Sequence, residues 1–180
     1  MKTVLIIDDR EEIRSVVKTA LTQFGFATHE ASDGREGIEL AQTHVPDLII
    51  CDANMNGMDG FTTLEAIREM PLFATTPFIL MTGSVGKEGF RRAMNGGADD
   101  YLQKPFSTEE LVEAVVSRLV RHAEMQAQAQ RRAEQMRDQA VQKISEELAA
   151  SFNGVMAATA MRLEAPLHDP RREYDSALAD

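Results

Sequence analysis

The chain has one cysteine, Cys51, and no tryptophan. A lone thiol excludes an internal disulfide, and its place in the run Leu48-Ile49-Ile50-Cys51 marks it as a small core residue. No apolar stretch reaches the roughly 20 residues that a membrane-spanning helix needs. The N-terminus also lacks the charged, apolar and small-residue regions of a secretory signal, so a reducing cytoplasm is the expected compartment. Basic residues are scarce: 19 Lys and Arg against 29 Asp and Glu leave a formal net charge of -10. Nucleic acid is therefore not an expected partner. Glycine is nearly absent after Val120, where only Gly154 remains. That absence separates an ordinary globular part from an extension of different character.

Within the first 120 or so residues, short apolar runs alternate with helix-period segments. The runs lie at 3–7, 26–30, 47–51, 78–81 and 100–103. The helical segments lie at 11–24, 34–43, 60–70, 87–95 and 108–120. Gly25, Pro46, Gly57, Pro77, Gly96-Gly97 and Pro105 punctuate the joins. Five successive β–α units predict an α/β fold with a parallel sheet covered on both faces. Residues 48–51 and 79–81 are apolar throughout and predict central strands. The mixed run 26–30 predicts an edge strand.

Ligands of a parallel α/β sheet bind beyond the carboxyl ends of its strands. The first strand ends in Asp8-Asp9, the third in Asp52 and the fourth in Thr82, while Lys104-Pro105 follows the fifth. Each has an ordinary reading. Asp9 and Glu12 have capping-box spacing, Asp52 precedes a turn-rich stretch, Thr82-Gly83-Ser84 fits any loop, and a lysine is usually solvated. Their convergence on one rim favours a ligand site. Three close carboxylates repel one another, and a divalent cation such as magnesium, which takes oxygen ligands, resolves that repulsion.

The segments VLIIDDREEIR, DLIICDANMNGMDGF, PFILMTGS and GGADDYLQKPF resemble the receiver domain of bacterial two-component response regulators, over roughly residues 1–122. The resemblance implies a flavodoxin-like, five-stranded parallel sheet of order 2-1-3-4-5 with five helices. It implies Asp52 as the phosphoacceptor. Asp8, Asp9, Asp52 and the Asn54 carbonyl would hold Mg2+, and Thr82 and Lys104 would bind the phosphoryl group. Thr82 and Tyr101 would form a switch pair, and Lys104-Pro105 would be a cis peptide bond. The donor would be a phosphohistidine on a cognate sensor histidine kinase or phosphotransfer protein. Such a domain accepts one phosphoryl group and hydrolyses it slowly, so it is not a turnover enzyme. A phosphohydrolase with an aspartyl nucleophile tends to carry a second aspartate two positions on, where this chain has Asn54. The chain departs from the family's usual loop at Asn56, where proline is common; its loss should loosen the loop slightly. Asn54 and Ser84 fall at places that tune acyl-phosphate hydrolysis.

After Val120, alanine, glutamine, arginine and glutamate dominate. Ala129, Ala133, Met136, Ala140, Ile144, Leu148, Phe152, Val155 and Thr159 recur at spacings of three and four, a helical seam with a stutter in its heptad register. The expected arrangement is one long helix continuing from 108–120, paired with a second copy as a coiled-coil homodimer. Residues 123–165 form this dimerisation extension, and 166–180, opened by Pro166, a disordered tail. Residues 143–166 also bear a weaker similarity to the dimerisation helix of histidine kinases, without the phosphorylatable histidine near Ala150 or Ser151. The alternative to a response regulator with an unknown downstream protein partner is thus a degenerate relative of a hybrid kinase, acting as an interaction module. His122, near the junction, reads as a solvated helix residue.

Overall fold

Along β1 (Thr3–Ile7) successive side chains enter different cores. Leu5 and Ile7 join one cluster, and Val4 and Ile6 join the other. This is the period of two that a pleated strand imposes. The computed structural model describes residues 1–83 and 96–164, with the side chains of the last helix described to residue 159. The predicted helix at 87–95, Ser84 and the predicted tail 166–180 lie outside the described residues.

The remaining strands are β2 (Ala27–Ala31), β3 (Leu48–Asp52), β4 (Phe78–Thr82) and β5 (Asp100–Gln103). All pair in parallel, in the order β2-β1-β3-β4-β5. Every residue of β3 and β4 is buried, as their unbroken apolar runs predict. The mixed strand β2 lies at an edge. Chain order reverses at β1, so the carboxyl ends of β1 and β3 flank the crevice where such sheets bind ligands.

Helices α1 (Glu11–Gln23), α2 (Gly34–His44) and α3 (Gly60–Glu69) are followed by a short 3-10 turn at Pro71–Phe73 and by α4 (Thr108–Glu164). Val17 and Leu21 of α1 and Leu111 and Val115 of α4 pack with Ile6, Ile50 and Ile79. Leu64 and Ile67 of α3 pack with Leu5, Ile49 and Leu80 on the opposite face. Each fully buried side chain of this size contributes about 1.5–3 kcal/mol. Cys51 is buried in the second of these clusters.

The helix starts follow local chemistry. Asp33 and Asp59 cap α2 and α3, their carboxylates accepting from the amides of Arg35, Glu36 and Thr62. The capping-box reading of Asp9 and Glu12 does not hold. Arg10 is the N-cap of α1 and makes no side-chain capping bond, because Asp9 is turned to Asn56 instead. Gly60 opens α3 where the helix presses on the end of β3. A Cβ there would meet the Asp52 carbonyl oxygen and the Ala53 Cα, both backbone. Gly60→Ala is expected to lower stability by about 1–3 kcal/mol. A urea midpoint equal to wild type would show that the close approach is dispensable.

Two compact units are distinguished, Met1–Gln128 and the stretch from Ala129 onward. The second is helical through Glu164. Within it Met136, Val141, Ile144, Leu148, Phe152, Val155 and Met156 are all exposed. Among the described residues, no helix is long and apolar enough to cross a membrane.

Candidate functional site

The ends of β1 and β3 bring three carboxylates together. Asp8, Asp9 and Asp52 each present an oxygen, and these oxygens lie within 4.8 Å of one another. Asp8 and Asp52 are buried, at 0% and 4% exposure, so solvent does little to relieve their repulsion. Lys104, just beyond β5, does much more. Its Nζ lies 2.6 Å from Asp8 Oδ2 and 3.0 Å from Asp52 Oδ2. The Lys104 amide donates to the Thr82 carbonyl at 2.7 Å. That bond anchors the lysine's backbone to β4, and the peptide bond to Pro105 is cis, as the resemblance implies.

The other residues singled out in the sequence fall around this cluster. Thr82, 4% exposed, ends β4, beside the strand that carries Asp52. The Asn54 amide donates to Asp52 Oδ1 at 3.3 Å, within the loop that leaves β3. Tyr101 lies on β5 and is 40% exposed. The thiol of Cys51 is pushed up well above its ordinary pKa, first by burial and then by neighbouring Asp52. It remains protonated and unreactive.

Three contributors escape a reading of the sequence alone. Arg10 places Nη2 3.9 Å from Asp52 Oδ2 and Nε 3.7 Å from Asp8 Oδ1. Arg14 donates from Nη1 to the Asp8 carbonyl at 2.7 Å. Asn56 donates from both its amide and its Nδ2 to Asp9 Oδ2, each at 3.2 Å. The residue expected to loosen the loop thus ties it to β1, through a backbone N–H that proline lacks. The only sequence signal for Arg10 and Arg14 is their place soon after Asp9, Arg10 as the N-cap of α1 and Arg14 on its first turn.

Chemically, the cluster is an all-oxygen donor set with a cation at its side. Hard carboxylate oxygens suit a small divalent cation such as magnesium and do not suit soft metals. A carboxylate flanked by an ammonium can attack phosphorus while the ammonium draws off charge from the phosphoryl oxygens.

Comparison with known proteins agrees with this geometry. The family model of the response regulator receiver domain matches residues 4–116. The nitrate/nitrite response regulator protein NarL of Escherichia coli is 39% identical over 115 residues, 63% of this chain and 52% of NarL. The regulatory protein AtoC of the same species is 39% identical over 109 residues, 60% of this chain but 23% of AtoC. The chain thus spans about half or less of the length of these curated relatives. The chemotaxis protein CheY4 of Vibrio cholerae superposes with a TM-score of 0.64 at 34% identity, covering 65% of this chain and 98% of CheY4. The sheet order, the acidic rim and the matched span lead to one conclusion: the chain belongs to the response regulator receiver family, the phosphoacceptor domains of two-component signalling.

Proposed function

We propose that Asp52 is the phosphoacceptor of a phosphorylation-controlled signalling switch. The observation that carries this reading is the contact of its buried carboxylate with Lys104 at 3.0 Å, inside the three-carboxylate cluster. An Asp52 oxygen attacks the phosphorus of a phosphohistidine in line. The O–P bond forms, the P–N bond breaks, and the electron pair stays on the imidazole nitrogen. Lys104 neutralises charge gathering on the phosphoryl oxygens. Asp8, Asp9, Asp52 and the Asn54 carbonyl would hold Mg2+, which when bound supplies divalent charge beside those oxygens. Slow hydrolysis of the acyl phosphate in the same pocket resets the switch.

The phosphodonor is a sensor histidine kinase or a phosphotransfer protein. An apolar groove of about 400 Å³, lined by Ile13, Val16, Pro105 and Phe106 beside Arg10 and Lys104, supports docking of such a donor at this rim. After transfer, the Thr82 hydroxyl moves to a phosphoryl oxygen and Tyr101 swings inward. That shift alters the surface formed by β5 and the start of α4, a two-state change biased by one charged group.

Output passes to a downstream protein, through this surface or through the arrangement of a homodimer. The division is a receiver at 1–122 and a dimerisation helix at 123–165, and the protein acts in the cytoplasm. The exposed seam through Ile144, Leu148, Phe152 and Val155 supports pairing with a second copy. Reductive trapping locates the acceptor: borohydride converts an aspartyl phosphate to homoserine. With a phosphodonor and magnesium the converted residue is expected at position 52. Conversion at any other aspartate, with position 52 intact, would overturn the assignment.

A further inference from the structure

Among the described residues, Arg10 is the more exposed of the two cations that flank the pocket's carboxylates. Its side chain is 54% exposed, whereas that of Lys104 is 11% exposed. Its backbone is held in place by the Arg10 N–H, which donates a hydrogen bond to Asp8 Oδ1 at 2.9 Å. Its guanidinium spans two carboxylates, with Nε 3.7 Å from Asp8 Oδ1 and Nη2 3.9 Å from Asp52 Oδ2. Both separations are longer than a hydrogen bond. The planar fork is therefore near both acids while its donors toward them remain unspent. That fork matches phosphoryl oxygens better than an ammonium does.

Counting charges gives the consequence. The carboxylates of Asp8, Asp9 and Asp52 set against Lys104 and Arg10 leave one net negative charge. Entry of a divalent cation makes the pocket net positive by one. Replacing the Asp52 carboxylate by an acyl phosphate with a dianionic phosphoryl group then brings it to neutrality. Without Arg10 the cation-loaded pocket is neutral before transfer and negative after it. The arginine's charge thus opposes the cation alone and favours the phosphoryl group.

We propose that Arg10 is a second phosphoryl-binding cation, exchanging its long ion pairs with Asp8 and Asp52 for direct hydrogen bonds to the incoming phosphoryl oxygens. This rests on the assignment of Asp52 as acceptor. As an exposed ion pair alone, Arg10 would contribute almost nothing.

The test compares wild type, Arg10→Gln and Arg10→Lys in two measurements. The first is magnesium affinity by calorimetry without phosphodonor. The second is the rate of adduct formation with acetyl phosphate at saturating magnesium. Arg10→Gln is expected to bind magnesium about threefold more tightly, since one positive charge a few ångströms away is removed. It is expected to form the adduct about tenfold more slowly. Arg10→Lys should restore the wild-type magnesium affinity and only part of the rate, because it keeps the charge and loses the fork. Opposite signs in the two measurements support the proposal. Loss of both affinity and rate would mark Arg10 as structural, and no change in either would mark it as an inert surface pair; each result overturns the proposal. An adduct on wild type with an equal rate in Arg10→Gln defeats the arginine alone, whereas no adduct on wild type defeats the Asp52 assignment and the proposal with it.

Discussion

Replacing Lys104 with alanine is expected to lower the stability of the cation-free protein by about 3 kcal/mol, and magnesium should return much of that loss. Lys104 contacts Asp8 at 2.6 Å and Asp52 at 3.0 Å, and both acids are almost completely buried. Breaking a buried pair by removing one partner costs about 3–5 kcal/mol, because an uncompensated charge stays behind. The lower end applies here, since Arg10 still lies within 4 Å of both acids. A divalent cation drawn to the same oxygens supplies the missing positive charge. It stabilises by mass action only the state that binds it. Urea unfolding in a chelator and in millimolar magnesium reads both effects. Equal stability of Lys104→Ala and wild type in chelator would show that the pair contributes nothing.

The double substitution Leu148→Glu with Phe152→Glu is expected to convert a homodimer into a monomer. Leu148 and Phe152 are each 66% exposed, flanked by Ile144 at 57% and Val155 at 62%. Among the described residues of its unit nothing covers this stripe, and such a helix is expected to bury it against a second copy. Val141 to Phe152 and Ile144 to Val155 both advance eleven positions, a period that winds less tightly leftward than a heptad seam. At about 2 kcal/mol for each buried apolar side chain, two lost on each helix weaken dimerisation by at least a thousandfold. Light scattering across a dilution series would show it. A wild type that is monomeric throughout would remove the dimer from the account and leave the receiver intact.

Much of this was legible in the chain because parallel α/β sheets translate sequence order into place. The apolar runs 48–51 and 79–81 mark central strands, found as Leu48–Asp52 and Phe78–Thr82, and the mixed run 26–30 marks an edge, found as Ala27–Ala31. Once the strands are parallel, their last residues must share a rim, so Asp8, Asp9, Asp52, Thr82 and Lys104 could be grouped before any coordinate was known. Side-chain direction was not legible. Arg10 looks like any exposed arginine until the N-cap geometry of α1 turns it toward Asp52. The bonds from Asn56 to Asp9 join residues 47 positions apart. The backbone freedom that Asn56 adds is set against the donor that its N–H supplies. The spacing of Asp9 and Glu12 fits a capping box, yet Asp9 was claimed by that distant partner, a tertiary contact overriding a local motif.

Asp52 as acceptor of one phosphoryl group and the chain as a dimer can be tested together. Intact mass and solution molar mass, measured with and without a small phosphodonor plus magnesium, address both in one experiment on wild type and Asp52→Ala. A single phosphoryl adduct is expected on wild type and none on Asp52→Ala, with a particle of dimer mass for both. Dimer mass with no adduct under any condition would contradict this expectation, leaving a receiver fold that does not accept phosphate and a helix that carries the function.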